Sequence, residues 1–312
     1  MSSVLFLRRG LAGAVVVLLS LCLAEAASAQ DRVRLGYGRL FINDSMAAAK
    51  DRWHTGGLIS SRIWGQHWDG EAPEKPGEII EFRWQGRVIA PSNLRAADPD
   101  DRRYAGVLSL GLHTHFQRGG IDFATGGDLV LTGPQTHIDE FHAALHDVLD
   151  IAPPSEAVFD NQIGNGIHPT FVGEAARSTA LGSAIELRPF AELRLGDETL
   201  ARAGFDMTFG GLAFGGLRVR EPVTGQRYEV IPRAQPGYSF VLGGDIAQVQ
   251  SSVYLPEDDG PVLSDVRSRV RAGVHWQGEV HSVFYGLTYL GEEFEGQEEG
   301  QFVGAARIRL TF

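Results

Sequence analysis

The segment EIIEFRWQGRVIA (78–90) sets apolar Ile80, Phe82, Trp84 and Val88 against polar Glu81, Arg83, Gln85 and Arg87. YAGVLSLGLHTHF (104–116) repeats the alternation with Leu108, Leu110, Leu112 and Phe116 against Ser109, Gly111, His113 and His115, and RIRLTF repeats it at the chain end. Period-two alternation means strands with two different environments. In a soluble sandwich the apolar face meets a core; in a membrane barrel it meets lipid and the polar face lines the interior. Length discriminates between the two. Segments of roughly 10 to 14 residues are long for sandwich strands and suit tilted strands crossing a bilayer.

Twelve such segments can be marked out, at 32–42, 55–66, 77–90, 103–117, 119–132, 170–181, 184–196, 199–213, 237–255, 264–277, 278–291 and 300–312. The expected fold is an all-β, antiparallel, up-and-down transmembrane barrel, with both termini on the periplasmic side. The 39 glycines suit closely approaching, curving strands. Residues 1–29 read as a cleaved export signal: Arg8 and Arg9 precede the apolar run LAGAVVVLLSLCL (11–23), and ASA (27–29) supplies a small-residue cleavage site. Residues 30–312 then form one domain in the outer membrane. The single cysteine, Cys22, leaves with the signal, so no disulfide framework exists. Loss of Arg8, Arg9 and Glu25 leaves 26 basic and 38 acidic residues and a net charge of −12. That excludes a general nucleic-acid binder. The terminal Phe312 on a strand-like segment is a familiar feature of bacterial outer-membrane barrels.

This topology sends the connections 43–54, 91–102, 133–169, 197–198, 256–263 and 292–299 to the outer rim. The first carries Asn43, Asp44, Asp51 and Arg52, followed by Thr55, Gly56 and Gly57. Asn43-Asp44 is also a common turn pair, and Asp51-Arg52 is read as a rim salt bridge. The inner connection LRVREPVTGQRYEVIPRAQPG (217–237) is unusually long and has no evident role.

The third outer connection, GPQTHIDEFHAALHDVLDIAPPSEAVFDNQ (133–162), breaks the strand pattern with a helix starting at Gln135 or Thr136 and ended by Pro153-Pro154. Ile138, Phe141, Leu145 and Leu149 form an apolar stripe at helical spacing. Asp139, His142, His146 and Asp150 line a second face. Three readings of that face stay open: a solvated surface, metal ligands as with histidines four apart in zinc enzymes, or a general base.

FINDSM, DRWHTGGL, YAGVLSLG, ALHDVL and FDNQI, in this order, resemble the outer-membrane lipid A 3'-O-deacylases. The match carries specific motifs from 33 to about 170 and continues as a looser strand pattern. The resemblance implies a twelve-stranded barrel and a Ca2+-dependent esterase. Its reaction removes the acyloxyacyl chain ester-linked at the 3' position of lipid A in lipopolysaccharide. By position it implies His146 as the essential histidine, Asn43 and Asp44 as the Asn-Asp pair, and Thr55 as the motif threonine. Arg95 is the nearest match to a basic residue of the second outer loop. His54, Gly56 and His142 depart from the family pattern, and Asp150 is the nearest match to an acidic residue after the helix. On this reading His146 activates a water, and Asp44 and Asn43 supply oxygen to calcium. Arg95, Arg52 and His142 contact the substrate. The partners are lipopolysaccharide and outer-membrane lipids, with the chain acting as a monomer. The acidic outer segments PEDDG (256–260) and GEEFEGQEEG (291–300) are expected to meet the phosphate layer through bridging divalent cations. No GxSxG elbow occurs, which weakens a serine-hydrolase reading. The alternatives are a non-catalytic porin-like barrel and an outer-membrane phospholipase acting on another lipid.

Overall fold

A computed structural model describes residues 32–48, 51–232, 236–257 and 260–310. The proposed signal segment and Phe312 lie outside the described residues. The alternating segments form strands that pair antiparallel with their chain neighbours: β1 (Val33–Asn43), β2 (Trp53–Gly65), β3 (Ile79–Ala90), β4 (Ala105–Arg118), β5 (Ile121–Thr132) and β6 (Gly166–Ala176). After the two-residue β7 (Thr179–Ala180) come β8 (Ile185–Leu195) and β9 (Glu198–Gly210), and then the hairpin β10 (Leu217–Arg220) and β11 (Arg227–Ile231). β12 (Gly237–Ser252), β13 (Val266–Gln277), β14 (Ser282–Leu290) and β15 (Gln301–Arg309) complete the chain. β1 pairs with β15, and β6 pairs with β8 from Phe171–Leu195 to Ala176–Phe190, so the wall closes on itself. Twelve strands build that wall; β7 only extends the edge beside β8, and β10 and β11 stand apart as their own two-stranded sheet. The sixth strand begins at Gly166, four residues earlier than the sequence pattern suggests, through pairing with β5.

The barrel is inside-out. Leu110, Leu112, Leu129, Phe171, Phe240, Leu242, Tyr285 and Leu287 are exposed on the outer wall, the surface a barrel presents to lipid. Among the described residues no helix is long and apolar enough to cross a membrane; the strands are the crossing elements. The lumen holds charges that neutralise one another. Arg83 bonds Glu81 at 2.8 Å and His115 meets the same carboxylate at 2.7 Å. His113 meets Asp128 at 2.8 Å, and Arg269 bonds Asp245 at 2.9 Å. His113 and His115 are thus lumen-lining, as the alternation of β4 implies. Pairing of this kind removes the penalty of burying lone charges rather than adding much net stability.

The long inner connection has a structural role that the alternation in LRVR and RYEVI foreshadows. The β10–β11 hairpin leaves the wall between β9 and β12 and fills the lumen. The Tyr228 and Ser61 hydroxyls lie 2.6 Å apart, Arg220 donates to Glu174 and Asp206 at 2.6 and 2.8 Å, and Gln85 donates to Glu221 at 2.9 Å. Val230 and Tyr228 join Leu40, Ile42, Ile59 and Ile63 in the apolar cluster between hairpin and wall. The approach is close because β1 carries Gly36 and Gly38 on its inner face: a Cβ there would stand 2.1 Å from the Val230 carbonyl oxygen and 2.5 Å from that of Glu229.

The third outer connection carries a 3-10 turn (Pro134–Thr136), then α2 (Ile138–Val148) and α3 (Glu156–Asp160); a short α1 (Ser45–Ala48) follows β1. α2 begins later than expected because Gln135 is held in the turn, its backbone N–H on Asn165 and its side chain on the Thr132 and Gly166 carbonyls. It also ends earlier, at Val148, before the two prolines are reached. α2 lies against the outside of the barrel. Gly106 belongs to the outward-facing parity of β4, and Ile138 presses on it so closely that a Cβ would come within 2.8 Å of the Ile138 Cβ.

The hairpin contact predicts a stability effect. Gly36→Ala lowers the urea midpoint of the detergent-folded barrel by an amount equivalent to about 1–3 kcal/mol. Gly127→Ala, whose added carbon would make an ordinary contact 3.6 Å from the Thr170 carbonyl oxygen, shifts it less. Equal shifts for the two would contradict a hairpin seated on β1.

Candidate active site at the outer rim

A bulge between His54 and Gly56, in the β2–β3 pairing, shifts the phase of side-chain alternation along β2. The His54 ring turns to the lumen and meets Glu293 at 2.8 Å. Thr55 turns to the rim beneath α2. Trp53, immediately before His54, has a left-handed backbone with φ 52°, an arrangement that costs a bulky residue about 1–3 kcal/mol. Its indole N–H donates to Asp101 at 3.2 Å, and its ring lies between the Arg52 guanidinium and Phe294.

Thr55 sits between two carboxylates. Its hydroxyl meets Asp44 at 3.3 Å and also meets Asp51. Asp44 is fully buried, and one of its oxygens accepts from the Arg52 backbone N–H at 2.9 Å and from Gln301 at 3.3 Å. Burial, with the charge of Asp51 adding to it, pushes the Asp44 carboxyl up to about 7. Asn43, the residue before, accepts from the Ser45 backbone N–H at 2.7 Å.

The other Asp51 oxygen lies 3.1 Å from His146 Nε2. His146 Nδ1 lies 3.1 Å from the Ala152 carbonyl oxygen. A carbonyl only accepts, so Nδ1 carries a hydrogen and Nε2 faces Asp51 at the rim. The His142 ring stands 4.4 Å from that of His146 and stacks on Tyr104 at 5.9 Å, with its Nδ1 3.3 Å from the Tyr104 hydroxyl. Burial pushes His142 down to about 4, against the opposing pull of Asp51, so its ring is neutral at neutral pH. Burial likewise pushes the Tyr104 phenol up.

Asp44, Thr55 and His146 therefore meet at one place, joined through Asp51 and with His142 beside them, while the Asn43 amide oxygen, one residue before Asp44, is taken by Ser45. Other sequence expectations differ from the structure. Asp51 and Arg52 do not form a salt bridge. Consecutive residues in extended chain point apart, so Asp51 turns to Thr55 and His146 while Arg52 reaches Glu299 and covers the Trp53 ring. Arg95 is exposed and donates to the Pro153 carbonyl at 2.8 Å, tying the second outer loop to the third. Asp150 is exposed past the helix end. Most of the apolar stripe of α2 points away from the protein: Phe141, Leu145 and Leu149 are 64, 42 and 56 % exposed, whereas Ile138 packs on the wall at Gly106 and His142 and His146 are 6 and 5 % exposed. The acidic segment 291–300 is partly occupied by the chain's own cations, Glu293 by Arg102 and Arg267 and Glu299 by Arg52.

The donor set around Thr55 is two carboxylates and a hydroxyl. All are hard oxygen ligands, the chemistry that suits calcium. The raised Asp44 carboxyl marks a buried acid beside a second, half-buried one, and a divalent cation would offset their charge.

A family profile described as outer membrane protein LpxR matches residues 11–312. Among solved structures, LpxR from Salmonella typhimurium is similar with a TM-score of 0.70 at 16 % identity, over 89 % of this chain and 100 % of that one. The NanC porin follows with a TM-score of 0.42 at 6 % identity, over 89 % of this chain and 100 % of that one. No curated protein matches by sequence.

The raised Asp44 carboxyl has a measurable sign. Its proton is held in the fold up to about pH 7, whereas an unfolded carboxyl loses it at about 3.9. Ionisation therefore costs stability above pH 7, and the cost fades as pH falls toward the unfolded value. In chelator, Asp44→Asn raises the unfolding temperature at pH 8 and raises it progressively less toward pH 4. A gain that does not change with pH would contradict the shift.

Proposed function

Because the chain belongs to the LpxR family of outer-membrane proteins, we propose that it is a Ca2+-dependent esterase that removes the 3'-O-linked acyloxyacyl chain from lipid A in the outer leaflet. The observation that carries this reading is His146, its tautomer set by the Ala152 carbonyl, aiming Nε2 at the oxygen cluster of Asp44, Asp51 and Thr55. That cluster lies between α2 and the outside of the barrel wall, where a lipid can reach it.

In the proposed reaction a water at His146 Nε2 gives its proton to the imidazole as its oxygen attacks the ester carbonyl carbon. Asp51 stabilises the imidazolium that results. Collapse of the tetrahedral intermediate breaks the bond to the sugar 3' oxygen, and His146 returns the proton to that oxygen. The products are a free 3'-hydroxyl and an acyloxyacyl acid. Asp44 and Asn43, with Thr55 holding the Asp44 carboxylate, are the residues that would hold calcium. Calcium, when bound, supplies positive charge for the developing oxyanion. Arg52 and Arg95, in the first and second outer connections, are the cations assigned to the lipid A phosphates. All of these residues come from one chain, so a monomer suffices. Residues 1–29 act as the export signal, and N-terminal sequencing of the membrane-inserted protein then reads Gln30 first.

Mass spectrometry of lipid A from cells expressing the chain tests the reaction. The intact protein removes one acyloxyacyl unit; His146→Ala lowers the rate about 10²–10⁴-fold. Unchanged lipid A with a properly inserted barrel supports a non-catalytic barrel instead, and acyl loss confined to phospholipids supports a phospholipase. Chelation abolishes activity and calcium restores it; activity that survives chelation overturns the calcium role.

A further inference from the structure

Asp51 has two oxygens with different company. One meets the Thr55 hydroxyl, on the all-oxygen side of the rim. The other faces nitrogen: His146 Nε2 at 3.1 Å, with His142 one helical turn away. The donor atoms of Asp51, His142 and His146 all lie within 4.8 Å of one another. We propose that these three residues form a binding site for a divalent transition metal ion of the zinc class, distinct from the hard-oxygen set at Asn43 and Asp44.

Hydrogen-bond accounting leads there. With Nδ1–H committed to the Ala152 carbonyl, neutral His146 points a lone pair at a carboxylate 3.1 Å away. Two electron-rich atoms at that distance need a positive charge between them, either a proton or a metal ion. The second histidine favours the ion, because a proton satisfies one pair of atoms whereas a metal ion draws on three. Ligands bound tetrahedrally at 2.0–2.1 Å stand about 3.3 Å apart, close to the observed His146–Asp51 edge. The surroundings match those that orient metal-bound imidazoles. Each histidine has its Nδ1 on an oxygen of the chain, Ala152 for one and the Tyr104 hydroxyl for the other, which leaves both Nε2 atoms to the site. Two imidazoles and one carboxylate select zinc-class ions over calcium. Three protein ligands leave a fourth position open. Both histidines are buried, while the Asp51 side chain is 35 % exposed, so the ion enters from the rim.

The site bears on the proposed reaction through His146, since an ion on Nε2 occupies the lone pair that would take the proton. Its test reads metal binding directly. The full chain, purified in detergent and stripped with a chelator, is titrated with Zn2+ by calorimetry and with Co2+ by visible absorption. Expected are one Zn2+ per chain, the intense bands of four-coordinate Co2+, and retention of Zn2+ in excess Ca2+. His142→Gln weakens Zn2+ binding on the order of 100-fold, and Tyr104→Phe, which removes only the orienting hydroxyl, about tenfold. Heat-shifted gel migration checks that each variant is folded; should His142→Gln fail to fold, Asp51→Asn takes its place with the same expected loss. No stoichiometric Zn2+, or equal binding by the folded ligand variants, overturns the site and leaves an ordinary histidine–aspartate ion pair. A chain that binds Zn2+ but leaves lipid A intact overturns the deacylase reading alone. A chain that deacylates but binds no Zn2+ overturns this proposal alone.

Discussion

In hydrocarbon a backbone N–H or C=O without a partner has no water to turn to, and everything else in this structure follows from meeting that demand. Pairing of β6 with β8 removes the last open edge of the sheet. Closure fixes parity along every strand, so that one set of side chains meets lipid and the other meets the lumen. The lumen set is charged, and charges so enclosed must find one another. The β10–β11 hairpin serves that requirement as much as packing does: Arg220 and Glu221 pair across to the wall, while Val230 and Tyr228 bury its apolar inner face.

The strands were legible in the sequence because parity is a local property. EIIEFRWQGRVIA carries its two environments in thirteen letters, and the register of β3 with β4 only had to respect them. The hairpin was legible in principle too, since LRVR and RYEVI alternate around a turn containing Gly225, whose φ is 70°. Its position inside the barrel was not, because inner connections are normally short and nothing local distinguishes a plug from a turn.

At the rim the sequence was a weaker guide. Asp44 and Thr55 are close in the chain but His146 lies far beyond them; counting strands places all three at one rim, and the family resemblance is what singles them out there. Asp51 was paired with Arg52 on adjacency, whereas adjacency in extended chain sends side chains apart, and its partners lie on β2 and α2. The α2 stripe misled for a deeper reason. An apolar helix face is ordinarily buried, but that rule assumes water outside. Here Phe141, Leu145 and Leu149 point outward while the histidines are covered, and the helix is inside-out in the same sense as the wall it rests on.

That inversion changes how a substrate is counted. A cluster roofed by a helix with an oily back, seated on the outside of a barrel, is approached along the plane of the leaflet rather than through the aqueous phase. For the proposed reaction the relevant concentration is then a mole fraction in two dimensions. Dilution with inert lipid or detergent would slow encounters even when the bulk amount of substrate is unchanged, and the lateral composition of the leaflet would govern turnover.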